Sequence, residues 1–151
     1  MLHNMRRTAA GLFAAALAIA ALASASSTHK ISAALNAKQE VPKQVVKVPG
    51  AMGSFSGSIE GGKQATLRWK LTFSGLSGKP TAAHIHLGKR GVSGNVLVPL
   101  CSGNCRSGMT GTATLSPDVV DEIERGQTYV NVHTKKNPNG EIRGQVILLH
   151  R

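Results

Sequence analysis

Apolar and polar side chains alternate along most of this chain with a period of two, the spacing of a half-buried β-strand. The clearest case is Ala65 to Phe73. There Leu67, Trp69, Leu71 and Phe73 share one face while Arg68, Lys70 and Thr72 share the other. Similar short runs fall at residues 31–37, 53–59, 82–87, 95–100, 109–115, 128–134 and 141–149, separated by glycine, proline, asparagine and serine. About eight short strands of this kind predict an all-β Greek-key sandwich or barrel. One segment breaks the pattern. Ser116-Pro117-Asp118 opens a helical stretch with an N-cap, a proline at the first helical position and acids at the positive helix end, and Gly126 closes it. Its apolar positions Val119, Val120 and Ile123 predict a short helix capping an open end of the sheets, with its carboxylates on a solvated face.

Alternation also sorts the histidines. In Ala83-His84-Ile85-His86 the two imidazoles point one way and Ile85 the other, and in Tyr129-Val130-Asn131-Val132-His133 the histidine shares a face with Tyr129 and Asn131. With the valines and isoleucine inward, His84, His86 and His133 lie together on a polar sheet face. A His-x-His pair with one remote histidine is a metal-ligand pattern. Three neutral imidazoles with an open fourth position suit copper, with zinc possible. The plainer alternative is that these rings hydrogen-bond their neighbours and fix a sheet surface. Past Asn137-Pro138-Asn139-Gly140, a hairpin signal, Arg143 falls on the same side as His133 and is the candidate anion-guiding residue. Gly88-Lys89-Arg90-Gly91 lacks the context of a phosphate loop and reads as a turn on the rim of the site.

Residues 1–25 have the make-up of a signal peptide: Arg6 and Arg7, an apolar stretch from Gly11 to Leu22, and the small residues Ala23-Ser24-Ala25. The expected remainder, 26–151, is one domain, periplasmic or secreted and not transmembrane after processing. In such a compartment Cys101 and Cys105 are expected to close a small disulfide loop, rather than serve with Met109 as soft copper ligands. The 151-residue chain carries a formal charge of +11, of which Arg6 and Arg7 contribute two. Its cations are scattered and its aromatic content is 3%, so no stacking platform for nucleic acid is expected. The remaining partners for such a charge are a small anion or an anionic lipid or cell-envelope polymer.

Taken together, Leu35-Asn36-Ala37-Lys38-Gln39-Glu40-Val41-Pro42, Ala83-His84-Ile85-His86 and Tyr129 to Thr134 followed by Asn137 to Gln145 resemble the CHRD domain, named for chordin and also found alone in secreted microbial proteins. The resemblance spans Ile31 to Val146 and implies a domain more than a reaction. The order His84, His86, His133, Arg143 is also distantly similar to Cu/Zn superoxide dismutases. In that family such histidines hold copper and an arginine guides superoxide. No histidine lies between His86 and His133, so the bridging ligand and zinc loop of that family are absent here. Three functions follow as expectations: an exported metal-binding module, a copper superoxide dismutase-like enzyme, or a structural, adhesive extracellular module without metal.

Overall fold

The computed structural model describes residues 28–62 and 64–149. The segment expected to be a signal peptide lies outside the described residues. The chain forms β1 (Thr28–Asn36), a single 3-10 turn (Ala37–Gln39), β2 (Met52–Gly61), β3 (Ala65–Ser74), β4 (Pro80–Leu87), β5 (Val96–Ser102), β6 (Met109–Leu115), α1 (Pro117–Glu124), β7 (Thr128–Thr134), β8 (Ile142–Gln145) and β9 (Ile147–Leu149). Strand order is β5-β4-β7-β8-β1-β2-β3-β6, with every pair antiparallel. The terminal strands β5 and β6 come close to one another, so the sheet nearly closes into a barrel. Because β3 pairs with β6 and β4 with β7, the chain crosses the barrel ends in Greek-key fashion.

Alternation fills the barrel. Ile31, Phe55, Ile59, Leu67, Leu71, Ile85, Val130, Val132 and Ile142 all point inward and are essentially inaccessible. Trp69 lies flat over Gly111, where an added Cβ would stand 2.5 Å from the indole, so only glycine leaves room for the ring on the facing strand. A small barrel with mixed large and absent side chains packs at interior density without a channel.

The expected strand 141–149 is two strands. Residues 142–145 pair on both sides, with β7 (Tyr129↔Gln145) and with β1 (Asn36↔Arg143), whereas 147–149 pair with β1. The break falls at Val146, which is buried and donates its N–H to Thr128 O. The helix lies where expected, with Ile123 buried beneath it. Ser116 has extended N-cap geometry, but its side chain makes no capping bond, and Arg125 pairs with Asp121 and Glu122 on the outer face.

All turns split between two poles. The links β1–β2, β3–β4, β5–β6 and β7–β8 gather at one end of the barrel, and α1 lies at the other, as the strand pairings Asn36↔Met52, Pro80↔Thr134 and Ala65↔Leu115 require.

Candidate metal site on the outer face of β4 and β7

The histidines meet because β4 and β7 are neighbours. Cross-strand pairs Ala82↔His133, His84↔Asn131 and His86↔Tyr129 place all three rings on the outer face, while Ala83, Ile85, Val130 and Val132 fill the barrel behind them. One potential ligand nitrogen from each of His84, His86 and His133 lies within 4.8 Å of the others. His84 Nδ1 and His133 Nε2 are 3.1 Å apart. Two nitrogens bound tetrahedrally to one ion at about 2.0–2.1 Å stand about 3.3 Å apart, so this pair already has the spacing of two ligands.

Hydrogen bonds assign the tautomers. His86 Nδ1 faces Gly94 O at 3.0 Å and His133 Nδ1 faces Pro138 O at 2.8 Å. A carbonyl only accepts, so each Nδ1 carries the proton and each Nε2 keeps a lone pair. The His133 lone pair is met by His84 Nδ1–H. The His86 Nε2 lone pair is buried and has no partner among the described residues. Backbone carbonyls that fix the far nitrogen are the usual outer support of a metal-bound imidazole.

The rings are also held neutral. Burial first, and then the neighbouring His133 and His86, push His84 down to about 4. Burial likewise lowers His86 and His133, with their carbonyl hydrogen bonds acting in the opposite direction. Neutral imidazoles can bind a cation without a net loss of protons.

A second layer supports the rings. His86 stacks on Tyr129 with ring centroids 4.9 Å apart and planes 7° from parallel. Since β7 lies between β4 and β8, the other face of Tyr129 receives the Arg143 guanidinium, 3.4 Å from the ring centroid. The anion guide expected at Arg143 needs an open guanidinium, and this one is 1% exposed. Alternation placed Arg143 on the outer face as expected, but the β4–β5 loop covers that face. Arg143 Nη2 donates to Lys89 O and Val92 O, and Gln145 Nε2 donates to Gly88 O and Gly126 O, strapping the loop down. The turn at Gly88 to Gly91 is thus held against Arg143 and Gln145, and the loop residue that reaches the imidazoles is Gly94.

Two functional positions lay outside the reach of strand periodicity. Gly94 gives its carbonyl to His86 and its N–H to Tyr129 Oη. An added Cβ there would collide with Leu87 O. Glu40 is fully buried and accepts a hydrogen bond from Asn131 Nδ2 at 2.7 Å. Burial pushes its carboxyl up to about 8 against the pull of Arg143 and the Val41 N–H. Asn131 pairs across from His84 and stands two positions before His133 on β7, so Glu40 supports the site from a loop 91 residues away. A second buried acidic residue, Glu141, accepts from Ser77, Thr134 and Asn137 and organises the β7–β8 loop that supplies Pro138 O. These donors hold its pKa below the ordinary value despite burial.

Cys101 and Cys105 form a disulfide with Cα atoms 5.4 Å apart, at the end of β5. Cys101 pairs with Ala83 beside His84, so the bond stiffens the strand next to the ligands. Its sulfurs are joined to each other and are not thiolates. His29 lies far from the cluster, beside Glu124 of α1.

A family model for the CHRD domain matches residues 31–146. No curated protein and no solved structure matches the chain significantly. The matched span runs from β1 to the break after β8 and so includes all three histidines, Glu40, Gly94 and Arg143. The chain belongs to the CHRD domain family.

Proposed function

We propose that this protein is an exported module that binds one copper ion, with zinc as the second choice, through His84 Nδ1, His86 Nε2 and His133 Nε2. The observation that carries this reading is the buried, unpartnered Nε2 of His86, on a ring that clusters with His84 and His133 so that one nitrogen of each lies within 4.8 Å of the others. A buried acceptor left unpaired costs roughly 1–3 kcal/mol, and a cation at the cluster removes that cost. Copper is favoured over zinc by the affinity order for nitrogen sites. Binding at His84 Nδ1 requires that its proton move to Nε2, on a ring that is only partly buried. The family, the disulfide and the signal-peptide composition of residues 1–25 all support an extracellular or periplasmic setting, with residues 26–151 as the working domain.

Purified protein titrated with Cu(II), and separately with Zn(II), tests the reading by calorimetry and by the nitrogen couplings of bound Cu(II). One equivalent of Cu(II) with three imidazole nitrogens is expected, abolished in a His84→Ala, His86→Ala, His133→Ala variant. Equal binding by that variant sinks the proposal.

The partial exposure of His84 and His133 supports a second reading, superoxide dismutase-like turnover, because a small oxidant can approach the cluster from that side. In it the bound metal would supply the one-electron couple. Arg143, covered by the β4–β5 loop, would act by positioning Tyr129 and His86, and steering would fall to the field of the basic surface. A superoxide assay on copper-loaded protein separates turnover from binding alone.

A further inference from the structure

Independently of the metal site, the distribution of charge over the two poles identifies a docking surface. The pole carrying the β1–β2, β3–β4, β5–β6 and β7–β8 links exposes Lys38, Lys43 and Lys47 on the first, Lys79 on the second, Arg106 on the third, and Lys135 and Lys136 on the fourth. The acids on these same links are Glu40 and Glu141, and both are fully buried. Acidic side chains collect instead at the opposite pole, where α1 carries Asp118, Asp121, Glu122 and Glu124. Charge is thus unevenly spread, with one uniformly cationic end and an opposite pole where these acids mix with Arg125. A cleft of about 540 Å³ opens on that end beside Lys79, Lys135 and Lys136.

The same end displays aliphatic side chains on a loop that is fixed in place. Val45 is 72% exposed, the highest value among the large apolar side chains described, and Val46 beside it is 39% exposed. Their loop is clamped from both sides. Asn137 Nδ2 donates to Val46 O while Val46 N–H donates to Asn137 Oδ1, and buried Gln44 donates to Glu141 O and accepts from Val48 N–H. The clamp turns Gln44 inward and leaves Val45 and Val46 outward between Lys43 and Lys47. The described chain begins and ends at the α1 pole, where Lys30 pairs with Leu149.

We propose that this pole docks on an anionic lipid bilayer, with the lysines at the headgroups and Val45 and Val46 dipping into the interface. A soluble polyanion would satisfy the lysines and gain nothing from two fixed, exposed aliphatic side chains. A bilayer surface rewards both, through charge and through buried apolar area.

Flotation of the naturally processed protein with vesicles tests this. Binding is expected to vesicles containing phosphatidylglycerol at physiological salt, to be absent with phosphatidylcholine alone, and to be released as salt is raised. Each Lys→Gln change at Lys43, Lys47, Lys135 or Lys136 is expected to lower partitioning about fivefold. Val45→Ser with Val46→Ser is expected to lower it about tenfold with the salt dependence unchanged. Lys30→Gln and Lys70→Gln, away from the pole, leave partitioning as it is. Thermal melts establish that each variant folds. Equal binding to neutral vesicles overturns the proposal. So does full retention of binding by the valine variant, which would identify a purely electrostatic, polymer-type partner.

Discussion

The ring of His86 lies parallel to that of Tyr129 on the neighbouring strand, and one residue, Gly94, holds both: its carbonyl accepts a hydrogen bond from His86 Nδ1–H and its N–H donates to Tyr129 Oη. The orientation of the most buried imidazole therefore depends on a loop residue that has no side chain. Its Cβ would have no space, because Leu87 O occupies that position.

Gly94→Ala is accordingly expected to push the loop off the sheet, release His86 Nδ1 and weaken Cu(II) binding by about 10–100-fold, the usual consequence of losing an outer-layer partner. The barrel, whose core is untouched, keeps its melting cooperativity. Tyr129→Phe removes only the hydroxyl and is expected to cost about 1 kcal/mol of stability with a smaller effect on metal. Titration calorimetry on both variants decides the matter. Unchanged affinity in Gly94→Ala would show that the loop does not position His86.

Much of this arrangement was legible in the alternation of β4 and β7. A period of two carries face information directly, so Ile85, Val130 and Val132 inward implied His84, His86 and His133 outward together. Alternation says which face a residue takes and nothing about what lies over that face. Arg143 was placed on the correct side, yet its burial comes from a loop that Arg143 itself binds. Glu40 and Gly94 sit in loops without periodicity, and their partners are remote or on another strand, so alternation does not mark them, although Glu40 falls within the family motif Leu35 to Pro42. The break at Val146 was hidden for a related reason. Ile142, Gly144, Val146 and Leu148 keep their period while the chain leaves β7 and continues beside β1 alone.

Metal affinity should fall less in mildly acid solution than three ordinary imidazoles would allow. Three ordinary imidazoles, each titrating near 6.5, would be about nine-tenths protonated at pH 5.5 and together would lose about 1,000-fold in affinity relative to pH 7.5. Here burial lowers all three, His84 to about 4, so a loss well short of about 1,000-fold is expected over that range. The same shifts set the stability of the metal-free protein. Groups with folded pKa values below the unfolded value contribute stability that is fully present above pH 6.5 and lost as pH falls toward 4. Zn(II) titrations at a series of pH values, using a non-coordinating buffer, check the first statement and denaturant midpoints check the second. A thousandfold loss of affinity by pH 5.5 would refute it.

Reducing the Cys101–Cys105 disulfide should cost little. The bond closes a loop with a sequence separation of 4, so the unfolded-chain entropy it removes corresponds to about 2 kcal/mol at most. Cys101 lies across from Ala83, and the ligand rings are held by Gly94 and Pro138 instead. A Cys101→Ala, Cys105→Ala variant is therefore expected to lose about 2 kcal/mol by urea unfolding while its Cu(II) affinity stays within about threefold. A large fall in affinity with intact folding would mean that the disulfide loop positions His84 directly.

Glu40 supplies the opposite pH dependence. Burial raises its carboxyl from 4.5 to about 8 even though Arg143 lies near enough to pull it down. A carboxyl whose folded pKa is raised favours folding fully below the unfolded value, and that advantage is lost as pH rises through the folded value. Between about 4.5 and 8 the unfolded chain releases this proton and the folded one retains it, giving a fall of up to about 1.4 kcal/mol per pH unit. Glu40→Gln keeps the shape and an oxygen to accept from Asn131 Nδ2, and removes the titration. Its stability should match that of the parent near pH 4.5 and exceed it increasingly toward pH 8. Arg143→Leu withdraws the neighbouring cation, leaves the β4–β5 loop carbonyls unpaired and exposes one face of Tyr129. A loss of about 3–5 kcal/mol is expected, with the titration of Glu40 displaced further upward. Arg143→Lys cannot restore both carbonyl contacts and the stacking, and should recover only part of that loss. Urea midpoints from pH 4 to 9 for the three variants measure these differences, and parallel curves for the parent and Glu40→Gln would show that Glu40 is already ionised in the folded protein.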